Sequence, residues 1–258
     1  MDAHEVLLAY DKQVRQSTSQ DGTGARTERA GQVVRRVPAG TEGGAGVFWS
    51  GLDEATADGV IATQVAFFRA RGQQFEWKLY GHDQPADLAD RLRAAGLEPE
   101  QPEMMMAAEP SAVPPAEPPA GVRIEQATGH AGVHLVASVH ERVFGPDPGL
   151  AARLLAQLST MPELMAMTVA MAGDEPVSAA RIEFVAGAQF AGLWGGGTLP
   201  AWRGQGIYRA MLAYRAALAA RHGCRYLQVD AMPASEPILE RCGFSRLTTT
   251  TPYLWTPG

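Results

Sequence analysis

The residues best suited to chemistry are Arg203-Gly204-Gln205-Gly206-Ile207, where two glycines stand in front of a run with helical spacing. A helix that begins there leaves its first backbone N–H groups without carbonyl partners at the positive end of the helix dipole, and such an end attracts anions. Glycines at its mouth keep side chains from holding a phosphate away from those amides. The segment is expected to hold something phosphorylated. Two other phosphate loops do not fit. The Gly-Lys-Ser/Thr of a Walker loop does not occur, and Gly204-Gln205-Gly206-Ile207-Tyr208-Arg209 lacks the third glycine of the dinucleotide fingerprint.

Just upstream, Gly195-Gly196-Gly197-Thr198 falls inside a stretch that reads as a strand. Glycine there weakens the strand and marks a bulge or a close backbone approach. The elements that must position both glycine clusters follow from periodicity. Residues 122–124 read as a short strand. A helix over 130–144 places Val133, Val136, Ala137, His140 and Phe144 at helical spacing, and a second helix runs over 150–158. Residues 165–172, 177–185 and 189–199 read as an antiparallel meander, with turns at Gly173-Asp174-Glu175-Pro176 and Gly187. From Gly206 onward Ile207, Met211, Tyr214 and Leu218 recur at intervals of three and four, with Arg209, Arg215 and Arg221 on other faces and Gly223 as a stop. A strand over 226–230, a short helix over 236–242 closed by Gly243, and a final strand pair over 244–250 and 252–255 complete the half.

Residues 109–120 carry five prolines and form the clearest boundary. Proline removes backbone donors and favours extended geometry, so a semi-rigid linker is expected between a domain over 1–108 and one over 121–258. In the first half a short helix over 6–14 precedes a polar stretch, 17–29, that reads as a mobile loop. An internal repeat relates the halves. Lys78-Leu79-Tyr80-Gly81-His82 lies over Tyr226-Leu227-Gln228-Val229-Asp230, and residues 88–97 lie over the stretch ending Leu239-Glu240-Arg241-Cys242-Gly243-Phe244. Val47-Phe48-Trp49 and residues 53–71 match the strand and helix around the glycine loop, but the loop itself is replaced by Ser50-Gly51-Leu52-Asp53-Glu54. Two carboxylates there repel a diphosphate.

Arg203, Gly206 and the order of elements resemble the GNAT (GCN5-related N-acetyltransferase) superfamily, whose signature Arg/Gln-x-x-Gly-x-Gly/Ala joins the fourth strand to the third helix. The resemblance runs through Asp230 to Gly243-Phe244, about the whole C-terminal half. It implies an α+β fold of two tandem GNAT-like domains, each a mixed, mostly antiparallel sheet flanked by helices, with a degenerate N-terminal copy. It implies acetyl-CoA as acyl donor, its diphosphate on Arg203, Gly204, Gln205, Gly206, Ile207, Tyr208 and Arg209, and its pantetheine arm on Gly196, Gly197 and Thr198. Ser235 could contact CoA or cap its helix, capping being the preferred role. The implied reaction is direct attack of an amine, on a small molecule or peptide, at the thioester carbonyl, with a strand N–H meeting the oxyanion. The alternative is a non-catalytic CoA-binding module, sensor or scaffold.

An amine of pKa roughly 10 needs a base or a desolvating site. Glu183 and Asp230 are the best carboxylates for that role, since both fall near where the sheet opens. The chain departs from the family at Tyr208, where Gly or Ala is usual, and at Leu239, where a tyrosine often serves as acid. The family's frequent upstream asparagine falls on Met232 or Pro233. Tyr208 and Tyr253 are reserve acids. His134 and His140 stand six apart, off the spacing of a helical metal pair, and read as packing or rim residues; no metal is expected. Trp194, Phe184 and Phe144 are candidates to line an acceptor pocket, and the methionines at 104–106, 161, 165, 167 and 171 read as core filling.

The 258 residues, 46% hydrophobic, suffice for one large or two small cores. The formal net charge of -6 and the lack of a basic stripe argue against nucleic acid. No apolar stretch is long enough for a bilayer, the acidic start is unlike a signal peptide, and the two cysteines form no disulfide framework, so a cytoplasmic protein without a membrane partner is expected. The acceptor and the oligomeric state, a homodimer among the options, are not legible.

Overall fold

The apolar run over 165–172 forms β8 (Met165–Ala172), buried along almost its whole length because helices cover both faces of the sheet that contains it. This is a computed structural model, and it describes residues 1–19, 22–40 and 44–257. In chain order the first half comprises α1 (Ala3–Tyr10), β1 (Arg26–Ala30), β2 (Val33–Val37), β3 (Gly46–Ser50), α2 (Ala57–Arg69), β4 (Phe75–Tyr80), α3 (Leu88–Ala94), β5 (Glu98–Pro99) and β6 (Glu103–Ala108). The second half comprises β7 (Val122–Ala127), α4 (Gly129–Phe144), α5 (Leu150–Thr160), β8, β9 (Glu175–Phe184), β10 (Phe190–Thr198), α6 (Ile207–Arg221), β11 (Tyr226–Ala231), α7 (Glu236–Arg241) and β12 (Ser245–Trp255).

The predicted elements of the second half are all present, with one correction. The expected final strand pair is a single strand, β12, whose register shifts between Arg246 and Thr248. That irregularity lets it serve two neighbours: residues 245–250 pair with β6, and residues 250–255 pair with β4. In the first half, the stretch expected as a loop over 17–29 ends inside β1, and Gln20 and Asp21 lie outside the described residues.

Among the described residues twelve strands form one sheet, in the order β1-β2-β3-β4-β12-β6-β11-β10-β9-β8-β7, with β5 beside β12. Most pairs are antiparallel, and two are parallel: β3 with β4, and β10 with β11. Each parallel pair is bridged by one helix, α2 or α6, which is the recurrence behind the internal repeat. The halves exchange strands at the centre. β6, which precedes the prolines, pairs with β11 of the second half, and β12 closes the chain against β4 of the first. The sheet therefore runs unbroken across the linker. Met105 and Met106 of β6 are both fully buried, one against α1 and the other against the α6 side, so the predicted core filling sits at the junction itself.

The linker is not a free spacer at its start. Pro110–Ala112 form a 3-10 turn, and Val113 enters the core beneath α6. Gly243, which closes α7, lies so near this turn that a Cβ on it would stand 2.5 Å from the Ala112 carbonyl oxygen. Backbone cannot yield as a flexible side chain does, so Gly243→Ala is expected to destabilise the fold by about 2 kcal/mol. At roughly 2–4 °C per kcal/mol that is a fall in Tm of about 4–8 °C, measurable by calorimetric melting. An unchanged Tm would mean that the linker does not rest on α7.

Candidate active site

Successive strand residues point to opposite faces, which fixes the sides of the sheet. Ala179 packs with Val133, Val136 and Val139 of α4, whereas Ala180 packs with Ile207 and Met211 of α6. Helices α4 and α6 therefore cover opposite faces of β9 and β10. Val229 belongs to the α6 face, so its neighbour Asp230 belongs to the α4 face.

Strands β10 and β11 pair only over residues 190–192 and 226–228. Beyond Gly192 they part, and β10 bulges: Trp194 opposes Arg181 and Gly197 opposes Ala179, leaving Gly195 and Gly196 against a single residue of β9. Gly195 takes φ +57, the left-handed conformation that suits glycine at such a bulge. The bulge expected from the glycine run is thus present. A cavity of about 250 Å³ occupies the opening between the strands. From the α4 face it is lined by Glu103, His140, Phe144, Trp194 and Asp230, and from the α6 face by Tyr208, Arg215, Ser235 and Leu239.

At one end of this opening β10 leads through a 3-10 turn, Pro200–Trp202, into the glycine loop. Arg203 donates from Nε to the Thr198 carbonyl at 3.0 Å, which folds the loop back on its strand. Gly206 sits at φ +88 as the N-cap of α6, no side chain caps the helix, and Ala210 N donating to Gly206 O begins its ladder. The amides just ahead of Ala210 therefore have no helical carbonyl to bond, a geometry suited to an anion. The first half differs at the matching helix. There the Asp53 carboxylate accepts from Ala55 N at 3.0 Å and Thr56 N at 2.8 Å, and the Thr56 hydroxyl leads the contacts that hold its pKa below the usual value. A side-chain anion already fills that position.

The predicted residues are divided by the structure. Gly196, Tyr208, Ser235 and Asp230 line the cavity, and Gly204–Arg209 form the loop beside it. Ser235 makes no capping hydrogen bond, contrary to the preferred role, and faces the cavity instead. Gly197 and Thr198 lie outside the lining. The Gly197 carbonyl accepts from Ser178 Oγ at 2.8 Å, Thr198 Oγ1 lies 3.0 Å from the same hydroxyl, and a Cβ on Gly197 would meet Phe144 and Val143 at 2.8–2.9 Å. Close packing of α4 accounts for that glycine. Glu183 also lies outside the lining, paired at 2.7 Å with Arg181. Asp230 is in the wall, but both its oxygens are engaged, Oδ2 by Lys78 Nζ at 2.5 Å and Oδ1 by Gln228 Nε2 at 2.9 Å. Phe184 stacks on His222 at 4.0 Å and is no part of the cavity, whereas Trp194 and Phe144 are.

Three groups escaped the sequence reading. Glu103 of β6 comes from before the linker; burial, ahead of the neighbouring carboxylates, raises its pKa despite Lys78. His140, expected at the rim, stacks against Phe144 at 4.9 Å and stands beside Gly195 of the bulge. Burial first and then the Arg181 cation lower its pKa, which favours a neutral ring able to accept a proton. Arg215, expected on an outer face of α6, is 2% exposed in the floor of the cavity.

Comparison with known proteins agrees with this geometry. The profile of the acetyltransferase (GNAT) family matches residues 133–244. A GCN5-related N-acetyltransferase from Kribbella flavida superposes with a TM-score of 0.73 over 99% of this chain and 96% of its own, at 20% identity. One from Sphaerobacter thermophilus gives 0.65 over 100% and 87%, at 17% identity, and a tandem GNAT protein of the clavulanic acid biosynthesis pathway gives 0.63 over 91% and 82%, at 14% identity. A search by sequence among curated proteins returns no match. Among the described residues no helix is long and apolar enough to cross a membrane. The parted parallel strands, the bulge and the uncapped glycine loop all fall inside the segment, residues 133–244, that is similar to the acetyltransferase (GNAT) family, and the fold of the whole chain is that of GCN5-related N-acetyltransferases.

Proposed function

We propose that the protein is an acetyl-CoA-dependent N-acetyltransferase with one working site, in the second half, and a first half that has lost cofactor binding. The observation that carries this is the uncapped start of α6 opening directly onto the parted β10 and β11, with proton-carrying groups on both faces of the gap. Acetyl-CoA would lie with its diphosphate on the amides of residues 204–209 and its thioester at the bulge, supplying an activated acetyl group. A backbone N–H of the bulge is suited to the oxyanion. The acceptor, an amine of a small molecule or peptide, enters from the α4 face. Glu103 and Asp230, only partly balanced by Lys78, favour a cationic acceptor there. His140 is the proton acceptor nearest the bulge and takes the proton that the ammonium must lose before it attacks. A first half that keeps Asp53 over its helix start serves as a wall, contributing Glu103 to the acceptor side.

Calorimetry with acetyl-CoA and release of CoA thiol against a panel of amines test the reading; protein that binds no CoA thioester rejects it. A second reading, CoA binding without turnover, is favoured by Leu239, which lines the cavity with no proton to give. Binding without thiol release against every amine would establish that one. If transfer occurs, activity falls as pH drops through a value below the ordinary histidine range, because protonated His140 cannot accept. His140→Asn is expected to lower kcat about 100-fold and to remove that acid limb, read from a pH–rate profile. An unmoved limb would take the role from His140.

A further inference from the structure

Arg215 is a cation without an anion. Its side chain is buried, and among the described residues no carboxylate pairs with it. What it does have is two backbone carbonyls, Met211 O at 3.3 Å from Nε and Arg181 O at 3.5 Å from Nη1, while the Tyr208 phenol, two helical turns back on α6, is the group that acts most on its charge. A buried guanidinium left so is expensive unless something negative visits it. Burial pushes its own pKa down, and the tyrosine opposes that. Both side chains line the cavity, and both come within 3.5 Å of where a Cβ on Gly196 would stand, so they meet the bulge from the α6 face. His140 meets the same bulge from the α4 face, beside Gly195. Leu239 and Ser235 complete the α6-side wall, and neither a leucine nor an uncharged serine supplies the missing negative charge.

Given the acetyl-transfer reading above, on which this rests, we infer that Tyr208 is the acid that protonates the departing CoA thiolate, with Arg215 as the positioning residue that holds its phenolate. The amine lone pair forms the C–N bond, and the tetrahedral intermediate collapses. The C–S bond breaks with its electron pair on sulfur, and the Tyr208 O–H proton moves to that sulfur to give the free thiol. His140 keeps the proton taken from the ammonium before attack, the second proton, shed by the nitrogen once the C–N bond has formed, leaves to solvent, and the phenolate, held by the Arg215 guanidinium, regains its proton from solvent. Base and acid thus act from opposite sides of the sheet. Burial keeps the Tyr208 phenol protonated until the step, and the arginine offsets part of that effect.

Thiol release from acetyl-CoA with the best amine of a panel tests the inference in Tyr208→Phe, Arg215→Met and Arg215→Lys. Tyr208→Phe keeps the ring and removes one oxygen. Its kcat is expected to fall about 100-fold, with Tm, KM for acetyl-CoA and calorimetric affinity for CoA unchanged. The solvent deuterium isotope effect on kcat should vanish with it. Arg215→Met should fall similarly and Arg215→Lys recover part of the loss, Tm being measured for both because the site is buried. Tyr208→Phe within threefold of the parent, or a kcat loss matched by a rise in KM or a fall in CoA affinity, overturns the proton relay alone. A parent protein that binds acetyl-CoA yet releases no thiol with any amine fails the acetyl-transfer reading itself, and the relay with it.

Discussion

Gly206→Asp is expected to weaken acetyl-CoA binding about 1,000-fold, close to 4 kcal/mol, while leaving the fold nearly as stable as before. Gly206 holds φ +88, where a side chain costs roughly 1–2 kcal/mol. An aspartate also places its carboxylate over the amides at the start of α6, competing with a diphosphate for the same hydrogen bonds and repelling it. The first half contains the outcome of such a change, since Asp53 there satisfies the amides of Ala55 and Thr56. The new cap offsets much of the backbone strain, which is why stability should survive. Gly206→Ala separates the two effects, because it carries the strain without the charge and should lose only about tenfold in affinity, or 1.4 kcal/mol. Calorimetric titration of both variants, after their melting temperatures are checked, measures this. An aspartate variant that binds within tenfold of the parent would place the diphosphate somewhere other than the helix start.

How much of this was legible in the sequence depended on whether the signal was local. Helix and strand periodicity, the glycine loop and the bulge at Gly195 are properties of short windows, and in the second half most of them lie within a residue or two of where the sequence places them, β7 running three residues further. The exchange of β6 and β12 is not local. Glu103-Met104-Met105-Met106 carries no mark of which strand it pairs with, and a proline-rich run directly after it suggests an edge where the structure has a centre. Glu103 was missed as a wall of the site for that reason. Arg215 was missed differently. Four residues after Met211 and seven after Tyr208, it stands on the border of the apolar stripe, and spacing alone would have kept it inside. A charged side chain marks the solvent face on surface helices, and that signal misleads where a helix is covered on most sides, as α6 is. Asp230 was correctly placed at the opening of the sheet, yet its lysine partner lies 152 residues away in sequence and on the other half.

That partner gives the largest expected effect on stability. Lys78 of β4 reaches past β12 and β6 to Asp230 of β11, with the two side chains 11% and 6% exposed, and Glu103 lies 3.8 Å from the same ammonium. Burial and the neighbouring acids push Glu76 and Glu103 toward neutrality, and Lys78 is the first cation that opposes this. Lys78→Met would therefore strand several carboxylates in a region with little water, and breaking a buried pair from one side costs about 3–5 kcal/mol. For a chain of this size the melting temperature should fall by roughly 6–20 °C. The sign with pH follows from the direction of the shift. The lysine pKa is raised in the fold, with Asp230 the largest favourable influence against burial. Its contribution is thus complete below the unfolded value of about 10.4 and is lost only as pH rises beyond that, so neutral conditions report all of it. In the variant the opposite slope should appear, stability returning as pH falls, because protonation then removes the stranded charges. Lys78→Met combined with Asp230→Asn should recover most of the loss, which simple loss of lysine packing would not allow. Melting curves of the single and double variants across pH measure both points, and a single variant within 2 °C of the parent would mean that the pair is solvated. If the coupling holds, the carboxylate expected from sequence to act as a base is instead a tie between the halves, and it fixes the wall through which the acceptor must enter.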